Sequence, residues 1–229
     1  DQVLFGPTGA VANLPKGAVV IASATVAPDY AEALGKRLAD HGILMIDAPV
    51  SGGAAKAATG QLTIMGSGLP AAFDKAGDVL KAIAEKVYRL GDVPGQGSRI
   101  KLVNQLLAGV HIAAAAEAVA LGIRIGCDPK VLLDVISNSA GSSWMFQNRV
   151  PHVIAGDYTP LSAVNIFVKD LGIVLDSARR NTFPLPLTAA AHQQFLAAAA
   201  AGHGLADDIS VIKVFEALTG IPLPKGETS

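Results

Sequence analysis

From Ile100 to Ile125 the chain carries no proline and is dominated by alanine, leucine, isoleucine and valine. Helix propensity and apolar content therefore agree over about seven turns, or ~39 Å. A helix so long and so apolar has to be covered on most of its sides, and the rest of the fold has to supply the cover. A paired-glycine turn, Gly95-Gln96-Gly97, leads into it, and its first turns hold Lys101 and Asn104. Three residues apart, these two share a helix face, so an ammonium and an amide point into the same space. A cation there also meets the positive end of the helix macrodipole, where it is disfavoured. Two readings of Lys101 stand at this point: a general acid/base, or a lysine whose stem lies on apolar surface while its head reaches water.

With 51% hydrophobic and 16% charged residues over 229 positions, the chain can bury a real core, as one large or two small domains. A net charge of -1 without a basic run argues against nucleic acid, which needs a concentrated Lys/Arg footprint. No membrane span is expected, because His111 and Glu117 interrupt the most apolar window, Leu106 to Leu121. The single cysteine, Cys127, excludes an internal disulfide framework and suits a reducing cytoplasm. Five histidines without ligand spacing give no support to a metal site. The chain opens at Asp1 with no Met, which reads as a start internal to a longer parent.

Upstream of the long helix, apolar runs and helical patterns alternate. Ala18 to Ala22 suits a strand buried on both faces, Pro28 to His41 a helix stopped by Gly42, and Ile43 to Val50 the next strand. Strand, helix and strand make a βαβ unit, whose ligands gather beyond the carboxyl ends of the strands. Thr25 and Ser51-Gly52-Gly53 both fall there. A short helix (54–58), a strand (61–65), a helix (70–84) and a strand (86–90) follow. Beyond Ser98 the periods are helical only: 98–126, 129–139, 144–154, 162–181, 185–201 and 207–219. The boundary expected near Gly91-Asp92-Val93-Pro94 divides an α/β domain, 1–94, from an all-α domain, 95–229.

Neither Gly66-Ser67-Gly68 nor Gly95-Gln96-Gly97 completes the dinucleotide fingerprint, since the sixth position is Ala71 in one and Ile100 in the other. In Ser51-Gly52-Gly53, backbone N–H groups between a strand and a helix suit a carboxylate or phosphate, and equally suit an ordinary turn. Trp144 reads as core or as a pocket wall beside Ser142, Ser143 and Arg149. Lys169-Asp170 places two charges on a mostly apolar helix, and as adjacent residues they are expected to find separate partners. Asp128 and Pro129 read as the cap and first residue of a helix.

Taken together, Asp47-Ala48-Pro49-Val50-Ser51-Gly52-Gly53, Gly60-Gln61-Leu62-Thr63, Gly97-Ser98-Arg99-Ile100-Lys101-Leu102-Val103-Asn104 and Phe167-Val168-Lys169-Asp170-Leu171 resemble the β-hydroxyacid dehydrogenase family over nearly the whole chain. The resemblance implies the C-terminal part of a Rossmann-type parallel-sheet domain, followed by an all-α substrate and dimerisation domain led by a long helix. It implies NAD as cofactor and a small hydroxy acid as substrate; a homodimer or homotetramer is expected because the Ala/Leu-rich helices after Gly97 carry more apolar surface than one small bundle can cover. By the same resemblance Lys101 is the catalytic acid/base, Ser51, Gly52, Gly53 and Asn104 contact the substrate, and Thr25 and Lys169 contact the cofactor. Ser143-Trp144-Met145-Phe146, Gly156-Asp157-Tyr158-Thr159-Pro160 and Phe183-Pro184-Leu185-Pro186-Leu187 are similar to the branch that oxidises L-threonate to its 2-oxo acid. The alternatives within the family are reduction of glyoxylate or tartronate semialdehyde and oxidation of 3-hydroxyisobutyrate. The family's first βαβ, with its glycine fingerprint, has no counterpart here, so the nucleotide-binding half is expected to be missing and NAD to bind poorly. From another class, the rival is a non-catalytic helical association module.

Overall fold

The structure, a computed structural model, describes residues 1–225. The chain forms two compact units, Asp1–Val103 and the residues from Asn104 on.

In the first unit a short helix α1 (Gln2–Phe5) and a 3-10 turn (Ala10–Asn13) precede β1 (Val19–Ala22), α2 (Pro28–Asp40) and β2 (Leu44–Asp47). β1 and β2 pair in parallel, with Ala22 level with Asp47. β2 is buried on both faces: Met45 joins Leu34 and Leu38 of α2 in one core, while Ile46 joins Ile64, Phe73 and Leu80 in another. β1, expected to be as deeply buried, is only partly buried along its length, whereas β2 is also bridged at Asp47 to Ser67.

The expected single strand over 43–50 is broken. Pro49 lacks an N–H and cannot extend the ladder with β1, which stops at Asp47, and β3 (Val50–Ser51) instead pairs antiparallel with β4 (Leu62–Gly66), in the register that the Asp47–Ser67 bridge begins. Between them lies α3 (Gly53–Ala58). Helix α4 (Pro70–Ile83) then crosses to β5 (Ala84–Arg89), which pairs with β4 in parallel. An isolated bridge, Asp47 with Ser67, ties the end of β2 to the end of β4.

The long helix, α5, runs from Gln96 to Arg124. By length and composition its most apolar window, with mean hydropathy 1.9, could cross a membrane, contrary to the sequence expectation; half of that window is buried within the protein, as in a core helix.

The second unit is helical: α6 (Pro129–Ser137), α7 (Trp144–Ala155), α8 (Val164–Arg180), α9 (Pro186–Ala198) and α10 (Ile212–Thr219), with a π turn at Ala199–His203 and a 3-10 turn at Asp208–Val211. Asp128 caps α6 through the Lys130 N–H with Pro129 in the first turn, as its sequence indicated. The core gathers Ile112, Val119, Val150, Leu171, Phe195 and Ile212, with Phe167 and Phe195 stacked at 5.1 Å. Gly109 lets α5 and α8 approach closely: a Cβ there would stand 2.8 Å from a Leu171 methyl.

Candidate active site

The start of α5 is held by a buried carboxylate. Asp47, 1% exposed, accepts hydrogen bonds through Oδ2 from the backbone N–H of Gly95 and Ser98, both 2.9 Å, and from the Ser67 hydroxyl at 3.3 Å. Its Oδ1 accepts from the Ser98 hydroxyl at 2.7 Å, while the Ser67 Oγ accepts from the Gly97 N–H at 3.0 Å. A helix opens with unpaired N–H donors and a partial positive charge, and Asp47 answers both. Gly97 is required by the closeness of this grip, since a Cβ there would lie 2.1 Å from the Met65 carbonyl oxygen. Arg99 is fastened to Glu32 of α2 at 2.6 Å. Lys101 follows Ser98 by three residues and is 7% exposed. Little of Lys101 therefore reaches water.

Thr25 is half-buried, three residues past the last residue of β1. Ser51 closes the short β3, and Gly52 and Gly53 turn the chain into α3 with φ of 131° and 67°, values that L side chains rarely adopt. Since Ala22 and Asp47 are level, Thr25 and Ser51-Gly52-Gly53 each lie within a few residues of the sheet end that Asp47 marks. Thr25 thus follows β1 by three residues, and Ser51-Gly52-Gly53 follow Asp47 by four to six.

In the second unit, Asn104 donates through Nδ2 to Gln105 Oε1 at 3.0 Å, and Gln105 donates through Nε2 to Asp170 Oδ2 at 2.6 Å. Lys169 reaches over its neighbour, its Nζ 2.8 Å from Asp170 Oδ1. The expectation of separate partners for this adjacent pair is thus corrected: a four-carbon stem is long enough to fold back along the helix. Lys169 is half-exposed while the Asp170 side chain is 1% exposed. Gln105 and Asp47 were not singled out from sequence for any role, and Asp170 only as a buried charge. Their available signal was a polar residue set within an apolar run. Trp144, by contrast, is 57% exposed and no part of the core.

A groove of about 480 Å³ in the first unit is lined by Gly35, Ala39, Leu69, Val93 and Pro94 among others, and none of the candidate residues borders it. Shape alone would point away from the chemistry.

A family model described as the NAD binding domain of 6-phosphogluconate dehydrogenase matches residues 1–91, and one described as NAD-binding of NADP-dependent 3-hydroxyisobutyrate dehydrogenase matches residues 95–215. The first match corrects the expectation that the nucleotide-binding half is missing. An L-threonate dehydrogenase of Cupriavidus necator is 65% identical, the alignment covering 98% of this chain and 74% of that protein. One of Escherichia coli K12 is 53% identical, covering 97% of this chain and 73% of that protein. A crystal structure described as 3-hydroxyisobutyrate dehydrogenase from Salmonella typhimurium superposes with a TM-score of 0.89 at 51% identity, covering 93% of this chain and 74% of that one. The chain spans about three quarters of the length of these relatives. With dehydrogenases aligned along its whole length, the non-catalytic helical module is not supported.

Proposed function

Because the chain belongs to the 3-hydroxyisobutyrate dehydrogenase-like family of NAD-dependent hydroxyacid dehydrogenases, we propose that it oxidises L-threonate to 2-dehydro-L-erythronate. The observation that carries the substrate is the L-threonate dehydrogenase name borne by relatives at 65% and 53% identity. The chain's own residues fit a nicotinamide dinucleotide. Thr25 stands beyond the carboxyl end of a parallel strand, where such domains take their ligands, and Lys169 offers a half-exposed ammonium.

When bound, the nicotinamide supplies the acceptor for the hydride that leaves the carbinol carbon with its electron pair. Lys101, as a neutral amine, takes the proton of the same hydroxyl, and the carbon–oxygen double bond forms between the two departures. Asp47 keeps the start of α5 in place, and Lys101 with it. Backbone N–H groups of the Ser51-Gly52-Gly53 turn suit the substrate carboxylate, and the Asn104 amide suits a hydroxyl. The same reading includes a homodimer or homotetramer working in the cytoplasm.

A second reading, oxidation of 3-hydroxyisobutyrate, is favoured by the description of the Salmonella structure. A substrate panel separates them: kcat/KM for L-threonate should exceed that for 3-hydroxyisobutyrate at least tenfold, and the reverse order overturns the proposal. Lys101→Ala should lower turnover by about two to four orders of magnitude with folding retained. Near-normal turnover in a folded Lys101→Ala protein would remove the lysine from the chemistry.

A further inference from the structure

An amide side chain is nearly symmetric in shape but not in chemistry: one end accepts and the other donates. Asn104 can serve a hydroxy-acid substrate only if the correct end faces it, and nothing local on α5 sets the choice. Asp170 does. An ionised carboxylate only accepts, so Gln105 has to aim its NH₂ at Asp170 Oδ2, 2.6 Å away. That turns Gln105 Oε1 toward Asn104, which has to answer with its own NH₂ at 3.0 Å. The carbonyl oxygen of Asn104 is thereby turned away from Gln105.

We propose that Asp170 is a positioning residue which, through Gln105, fixes the polarity of the Asn104 amide, so that Asn104 presents its carbonyl oxygen as an acceptor to the substrate's hydroxyl. Water cannot easily replace the relay, since Gln105 and Asp170 are 7% and 2% exposed. Lys169, 2.8 Å from the second carboxylate oxygen, balances the charge. The close approach of α5 and α8 at Gly109, one turn beyond Gln105, brings these two side chains within reach. The inference rests on the reading of Asn104 as a substrate contact.

The test is steady-state kinetics of the full chain with L-threonate and NAD on four variants, with folding checked by circular dichroism. Asn104→Ala tests the underlying reading: unchanged L-threonate kinetics would remove Asn104 from the site, and the relay with it. Given a loss there, Gln105→Met should lower kcat/KM for L-threonate at least tenfold while the KM for NAD stays within twofold. Asp170→Asn should lower kcat/KM similarly, because a side chain that can either donate or accept no longer dictates the order. The double variant Gln105→Glu, Asp170→Asn places the acceptor-only group between two amides and restores the polarity at Asn104. Its kcat/KM should return to within threefold of the parent. A folded Gln105→Met protein with unaltered L-threonate kinetics, or with both KM values raised alike, overturns the proposal, as does a double variant no better than Asp170→Asn. If Asp170→Asn does not fold, Gln105→Met decides alone.

Discussion

Asp47 concentrates more of the design than any other side chain in the first unit. Its carboxylate accepts from Gly95, Ser98 twice, and Ser67, and so joins the ends of β2 and β4 to the first turn of α5. Removing it strands several buried donors, each costing about 1–3 kcal/mol when left unpaired. Asp47→Ala is therefore expected to lose about 3 kcal/mol of unfolding free energy, read from urea denaturation, along with turnover. A loss under ~1 kcal/mol would show that water or a neighbouring group takes over the cap. Gly97→Ala should be at least as damaging, since the added Cβ meets backbone rather than a movable side chain.

Among elements, α7 and the 3-10 turn at Asp208–Val211 are clasped by a buried ion pair. Arg149 Nε lies 2.7 Å from Asp208 Oδ1 and Nη2 lies 3.1 Å from Oδ2. Burial pushes the Asp208 carboxyl up to about 6 from 3.8, against the pull of the Arg149 guanidinium. Between those values the folded protein holds a proton that the unfolded chain has released. The Asp208 contribution to stability is therefore fully present below about pH 4 and is lost as pH rises to about 6. Two units correspond to ~3 kcal/mol. Other carboxylates add their own pH dependence, so the expected observation is a difference. The stability of the parent minus that of Asp208→Asn should fall by ~3 kcal/mol between pH 4 and pH 7, and a pH-independent difference would refute the assignment.

At the scale of the molecule, α5 leaves an apolar stripe uncovered. Ile100, Val103, Leu107 and Leu121 are about half exposed, Ile125 just past the helix end more so, and the exposed Ala114 and Ala118 continue the row between them. Spacings of three, four and seven residues keep these positions along one face, as in a helix that packs on another helix. The proposed homo-oligomer would cover that face, symmetric pairing being the commonest arrangement for soluble assemblies. Light scattering should give a mass of at least twice 23.3 kDa, and Leu107→Glu with Leu121→Glu should lower it. A monomeric mass across a broad concentration range for the parent would count against assembly.

The helix over α5, the βαβ order before it, the cap at Asp128 and the candidacy of Lys101 were legible in the sequence because propensity, periodicity and capping act between residues a few positions apart. The family resemblance was legible for a different reason: its motifs keep their order along the chain. What holds those motifs in place was not. Asp47 reaches Ser98 across 51 positions and Gln105 reaches Asp170 across 65, and no local pattern specifies which buried donor meets which buried acceptor. The pairing of β3 with β4, the exposure of Trp144 and the fold-back of Lys169 onto Asp170 were likewise decided by packing. Each depends on which surfaces come together, and only the tertiary structure settles that, because desolvation and hydrogen bonding act between neighbours in space.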